Sequence, residues 1–171
     1  MNAAELRQLQ APFKDRYRNS PETAAGTLIA NGTIDLPTLT CQLQQPGPPR
    51  SRAGLHPATG GDGKTACAAE MLLEALIGCA GVTFAAVCTA MELTISSATL
   101  QAQGDMDFRG TLGVSREVPV GFQAIRLVFE ISSSEPDEKL ERAVQLAERY
   151  CVVAQTLKTV TVQWHRAEGS N

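Results

Sequence analysis

The chain reads as an α+β domain built on an antiparallel sheet with two long helices, one of them central and buried. Three observations predict this. The elements follow the order strands, long helix, strands, helix, strand. From about Ala68 to Glu92 the sequence is apolar nearly all round, as a helix enclosed by protein must be. Ile125, Leu127, Phe129 and Ile131 alternate with Arg126, Val128 and Glu130, the two-residue period of a strand with one face on a core.

The first 24 residues read as short helical pieces broken at Pro12 and Pro21, an N-terminal extension (1–24) to the main domain (25–171), with Lys14, Arg16 and Arg18 on a solvated face. GTLIANGTID and LPTLTCQLQ follow as two strands, and in the second the alternation of Leu39, Cys41 and Leu43 points Cys41 inward. Residues 45–64, QPGPPRSRAGLHPATGGDGK, are too rich in Pro and Gly for regular structure and form a connector longer than most. After the central helix, TISSATLQAQG and DMDFRGTLG read as one long or two short strands. Glu135, Pro136 and Asp137 after Ser134 signal a helix start. That helix extends to roughly Leu157 on an apolar stripe of Leu140, Val144, Ala147, Cys151 and Ala154, which buries Cys151, and TVTVQW closes the chain as a strand. There is no internal repeat.

With 171 residues the chain suits one domain, long enough to bury about two-thirds of the surface it exposes unfolded. A hydrophobic content of 43% and a net charge of -3 at pH 7 fit an ordinary soluble protein and imply no nucleic-acid partner. The N-terminus lacks the charged-then-apolar order of a signal peptide, so a reducing cytoplasm is expected, with the five cysteines as thiols. ALIGCAGVTFAAVCTAM carries no charge over seventeen residues, but this is short of the ~20 of a membrane span, and its small residues suit a buried helix.

Two chemistries compete. ATGGDGKT (58–65) fits a loose phosphate-loop pattern, yet PGPPRSRAGLHP before it cannot form the buried strand such a loop needs, so no nucleotide is expected. No cysteine or histidine pair has metal-ligand spacing, so no metal is expected. Cys41 and Cys88 read as core filler. Cys79 lies between Gly78 and Gly81, which remove side-chain bulk and would let another helix approach closely. Packing the two helices together would bring Cys79 and Cys151 to each other.

AEMLLEALIGCAGVTFAAV resembles the central helix of the OsmC/Ohr proteins (osmotically inducible protein C and organic hydroperoxide resistance protein), where a carboxylate precedes a run of the type E-L-L-L-A-A-L-G-G-C. ERYCVVAQTL resembles their second cysteine motif, C-P-V-x-x-T-L, with Val152 in place of the proline. The order of elements agrees from about Gly26 to Trp164. The resemblance implies an OsmC-like fold, an intertwined cytoplasmic homodimer, and reduction of organic hydroperoxides by a cysteine pair with no cofactor. It implies Cys79 as peroxidatic cysteine, Cys151 as resolving cysteine and Glu70 as the carboxylate. The arginine falls on Arg50 or Arg52, with Arg52, nearer the helix, preferred, and His56 in the same loop reads as a bystander. An external dithiol, lipoyl-type in some family members, would restore the pair.

A free thiol ionises near pH 8.5, so about 3.4 kcal/mol of preferential anion stabilisation is needed to bring it to about 6. Cys79 is some three turns inside its own helix, beyond the reach of that helix's N-terminus, so an arginine is expected to supply the charge, its fork held by Glu70. Nine steps of about 100° put Glu70 and Cys79 on opposite faces of a straight helix, roughly 13 Å apart along its axis. The site is therefore expected to be shared across a twofold dimer. The alternative is a non-catalytic domain that binds a small apolar ligand or senses oxidants.

Overall fold

The computed structural model describes residues 3–44, 53–157 and 160–167. In chain order the elements are α1 (Ala3–Asn19), β1 (Ala25–Asp35), β2 (Thr40–Gln44), β3 (Ala53–Gly54), β4 (Ala66–Cys67), α2 (Ala68–Ala90), β5 (Ile95–Asp107), α3 (Phe108–Thr111), β6 (Ala124–Ser133), α4 (Asp137–Tyr150), α5 (Val152–Leu157) and β7 (Val160–Arg166). They divide between two compact units. One comprises Met1–Leu28, Pro46–Met71 and Gly104–Ala124, the other Ile29–Gln45, Leu72–Gln103 and Ile125–Asn171.

In the first unit, α1 is a single helix that runs through Pro12, where separate pieces were expected. Proline forgoes one helix bond at a cost of about 3 kcal/mol, which local sequence alone does not offset. Packing does: Tyr17 is only 1% exposed and joins Ala24, Phe108 and Leu112 in a small core, with Phe13 packed against it. The Tyr17 hydroxyl donates to the Ala58 carbonyl at 2.8 Å, and the Arg16 guanidinium lies over the Phe13 and Tyr17 rings. Phe13, Tyr17 and Ala24 thus share a core with Phe108 and Leu112 from the rest of the unit. DMDFRGTLG, expected as strand, leaves the sheet at Asp107, whose carboxylate caps the single turn of α3 by accepting from the Arg109 N–H. The Arg109 side chain closes back on the same carboxylate, which an alternation pattern does not reveal.

The second unit contains a five-stranded sheet in the order β2-β1-β5-β6-β7. It is mixed and mostly antiparallel. β1 and β2 pair antiparallel, Ile34 opposite Cys41, whereas β7 runs parallel to β6, Phe129 opposite Trp164. The all-antiparallel expectation fails at this edge for a topological reason: α4 and α5 intervene between β6 and β7, and a helical crossover returns the chain in the same direction. The two long helices are α2 and α4. Ile77, Phe84 and Gly81 of α2 face the sheet: the Phe84 and Phe129 ring centroids are 5.2 Å apart. At Gly81 a Cβ would lie 2.7 Å from the Cys41 sulfur. What closes on Gly81 is therefore strand β2, where a second helix was expected.

By length and composition α2 would cross a bilayer, yet half of its most apolar window is buried within the protein. Ala68, Leu72, Ala75, Val82, Ala86 and Thr89 are exposed, with Cys79 half-buried among them. Their steps of four and three residues make one continuous small and apolar stripe.

Candidate thiol site

α4 does not continue to Leu157 as its apolar stripe suggested. The stripe is buried from Leu140 to Ala154, but the backbone turns out of the helix at Cys151, at φ -75° and ψ 110°, and α5 begins at Val152. Cys151 serves both helix ends. Its N–H still bonds the Ala147 carbonyl at 2.9 Å, while its sulfur accepts from the Ala154 N–H at 3.4 Å in the manner of an N-cap. The β-branched pair Val152 and Val153 has weak helix propensity and suits a restart.

This break gives Cys79 its surroundings. The N–H groups of Val153 and Val152 and the Cys151 thiol favour its anion, and the Thr83 hydroxyl, one turn on, donates to the Cys79 carbonyl at 2.7 Å. Burial opposes ionisation of Cys79, but these donors outweigh it and hold the thiol below the ordinary range. The partner is driven the other way: burial first, then the bond to and the charge of Cys79, push Cys151 up to about 11. Of the two sulfurs Cys79 is therefore the one that ionises more readily, and Cys151 the one that holds its proton. Both are free thiols. Next to Cys79 the helix is open, with nothing within 4 Å of where a Gly78 Cβ would stand.

The expected arginine falls outside the described residues, and among the described ones the backbone also acts on the anion. A helix N-terminus does contribute, but it belongs to α5 and not to the helix that carries Cys79. Val152 occupies the first position of α5, where proline is favoured because its absent N–H costs nothing there. Valine retains that N–H and directs it to Cys79.

The structure brings together Cys79 and Cys151. Glu70 is half-buried in the first turn of α2, and its charge acts on His56. Arg50 and Arg52 lie outside the described residues. His56 stacks on Phe108 with centroids 5.0 Å apart, and its Nδ1 accepts from the Ala58 N–H at 3.1 Å, which places the proton of the neutral ring on Nε2. Thr83 is a site residue that the sequence reading missed, although its position four residues after Cys79 puts it on the same helix face. Glu74, only 5% exposed, is a buried carboxylate in a helix read as apolar.

The stretch ATGGDGKT forms no phosphate cradle. β3 and β4 pair in parallel and close the loop, Ala53 opposite Ala66. Within it the Thr59 and Gly61 N–H groups bond the His56 carbonyl, Gly60 bonds Pro57, and Lys64 bonds the Asp62 carboxylate. These N–H groups are thus spent internally. Among the described residues no three His, Cys, Asp or Glu side chains are grouped to hold a metal ion.

An apolar helix that carries one thiol, a second thiol at the break between two shorter helices, and a mixed sheet define a protein of α+β class. The family model for OsmC-like proteins matches residues 61–165, and the chain belongs to that family. An OsmC-like hydroperoxide resistance protein from Jannaschia sp. CCS1 is similar in structure at a TM-score of 0.56 and 14% identity, over 86% of this chain and 96% of that one. A hypothetical protein from Aquifex aeolicus VF5 gives 0.51 and 20% identity over 64% and 80% of the two chains. An OsmC-like protein from Mycoplasma pneumoniae gives 0.49 and 17% over 75% and 86%. At such identities the first two show a common fold. No curated protein sequence matches the chain significantly.

Proposed function

We propose that this chain is a thiol peroxidase that reduces organic hydroperoxides through Cys79 and Cys151. The observation that carries the reading is the opposed polarisation of the two sulfurs, Cys79 held low by its donors and Cys151 pushed up to about 11. Family membership supports a redox role. The Cys79 thiolate attacks the terminal oxygen of ROOH and the O–O bond breaks. Cys79 becomes a sulfenic acid, and the departing alkoxide takes a proton to leave as ROH. Cys151 then condenses with the sulfenic acid, forming the disulfide and releasing water. An external dithiol reduces the disulfide by exchange and is itself oxidised, with no bound cofactor needed.

In this reading Arg52 orients the peroxide and Glu70 holds the arginine, both contributed across a twofold homodimer in a reducing cytoplasm. The exposed stripe of α2 supports the dimer, because an apolar helix face of that length is ordinarily covered. Organic hydroperoxides are favoured over hydrogen peroxide because Leu72, Val82 and the alanines beside Cys79 offer apolar walls. The test is turnover of cumene hydroperoxide and hydrogen peroxide with dihydrolipoamide as reductant. Turnover is expected for the wild type and lost in Cys79→Ser; activity that survives the substitution removes Cys79 from the mechanism.

A further inference from the structure

Among the described residues only two that are not glycine hold a left-handed backbone, Leu39 at φ 52° and Glu92 at φ 55°. Both line one cleft of about 580 Å³, formed by the turn between β1 and β2 and the segment that leaves α2. Its walls are apolar, with Leu36, Pro37 and Leu39 from the turn and Leu93 and Ile95 from the segment. Of its lining residues Glu92 alone is ionisable. Glu92 is ill suited to its position on two counts. The Leu93 N–H bonds the Cys88 carbonyl at 3.0 Å and the Glu92 N–H bonds that of Thr89 at 3.1 Å, the pattern of a helix ended by a left-handed residue, where glycine is the ordinary choice. A helix C-terminus also carries about half a negative charge and favours a cation, yet α2 has no basic residue in its last turn and Glu92 adds an anion. Among the described residues no cation pairs with the Glu92 carboxylate. Glu135, which accepts from the Thr94 N–H, is by contrast bridged by Lys139 at 2.9 Å.

We propose that this cleft binds a small organic cation, an alkyl- or arylammonium ion, with its hydrocarbon body on the apolar walls and its N–H groups toward Glu92 and the end of α2. Charge complementarity sets the sign of the occupant, because the carboxylate and the helix end add to a negative potential that an ammonium ion relieves and an anion worsens. The walls set the rest: a bare metal ion gains nothing from hydrocarbon, whereas an alkyl chain gains by leaving water. Thr89, which also lines the cleft, supplies a further acceptor. Its hydroxyl proton goes to the Ala85 carbonyl at 2.9 Å, which leaves both lone pairs of the oxygen for an incoming N–H. The volume falls within the roughly 300–1,000 Å³ of small-molecule sites. Thr89 follows Cys79 by ten residues, about 15 Å along the helix, so the site is separate from Cys79 and independent of the peroxidase reading. Thr89 also ends the exposed stripe of α2, which makes a second copy the rival occupant.

The test is a titration of the full-length protein with hexylammonium, 1-hexanol and hexanoate, which share one alkyl chain and differ in charge, followed by backbone amide chemical shifts and by sedimentation. Shifts are expected at residues 36–39 and 89–95, with hexylammonium bound about threefold to tenfold more tightly than hexanol, and hexanoate more weakly than either. Glu92→Gln should remove most of the preference for the cation and leave hexanol binding unchanged. Glu92→Gly should do the same in a protein that unfolds at a higher temperature, because glycine takes the left-handed backbone without strain. Equal affinity for the three probes, shifts centred elsewhere, or a cation preference that survives Glu92→Gln overturns the proposal. A Glu92→Gln protein that binds hexylammonium as the wild type does but changes its sedimentation assigns the cleft to a second copy, and overturns it as well.

Discussion

Val152→Pro isolates the contribution of one backbone donor to the reactivity of Cys79. Val152 is 72% exposed and opens α5, so a pyrrolidine ring there meets solvent. The preceding residue, Cys151, already has the extended backbone that a following proline demands, with φ -75° and ψ 110°. Proline at the first position of a helix is well tolerated, and its rigidity in the unfolded chain is worth roughly 0.4–1 kcal/mol of stability. The fold should therefore survive, and the change at the site reduces to a single N–H lost from the Cys79 sulfur. A hydrogen bond to a charged group is worth about 1.5–3 kcal/mol, and a backbone donor to a large, diffuse sulfur anion belongs at the lower end. About 1.4 kcal/mol is tenfold in the thiolate-to-thiol ratio. The variant should alkylate Cys79 about tenfold more slowly below the midpoint of the pH profile, with that midpoint moved upward and the unfolding temperature unchanged or higher. A wild-type profile in a folded Val152→Pro protein would show that this N–H does not stabilise the anion.

Other expectations follow from the same geometry. Gly81→Ala places a Cβ 2.7 Å from the Cys41 sulfur and 2.8 Å from its Cβ. The overpacking should cost about 1–3 kcal/mol in denaturant unfolding, and Cys41→Gly should relieve it; equal stability of Gly81→Ala and wild type would refute the contact. Burial holds His56 below its ordinary range despite the nearby charge of Glu70, so the unfolded chain binds the proton more readily. Stability is then present above about pH 6.5, the unfolded value, and is lost as pH falls through the lower folded one. His56→Asn, which keeps a capping acceptor for Ala58, should flatten that loss in thermal melts between pH 7.5 and 5. Val82 is 43% exposed on the α2 stripe, and Val82→Glu should convert a dimer to a monomer in sedimentation; a wild-type protein that sediments as a monomer would refute the shared site.

Periodicity made the central features readable. The all-round apolar run predicted α2, and the four-three spacing from Leu140 placed Cys151 on a buried face and hence toward Cys79. The helix break at Cys151 was hidden for the same reason, because the stripe of Ala147, Cys151 and Ala154 continues undisturbed while the backbone does not. That break depends on a sulfur acting as a cap, an interaction outside the usual Ser, Thr, Asp and Asn signals. With the break hidden, the N–H groups of α5 that favour the Cys79 anion were hidden as well. Pro12 and Asp107 misled through local preference, the first overridden by Tyr17 packing and the second turning a strand into a capped helical turn. The parallel edge between β6 and β7 is a property of connectivity and leaves no mark on the alternation of either strand.

The central claim is that Cys79 and Cys151 form one redox pair, and the most direct measurement is a disulfide map of the reduced protein after one equivalent of cumene hydroperoxide. The account predicts a single Cys79–Cys151 disulfide formed in proportion to the peroxide added. In Cys151→Ser it predicts a sulfenic acid on Cys79, trapped by dimedone, in place of the disulfide. Oxidation at Cys41 or Cys67 with Cys79 left as a thiol would contradict it.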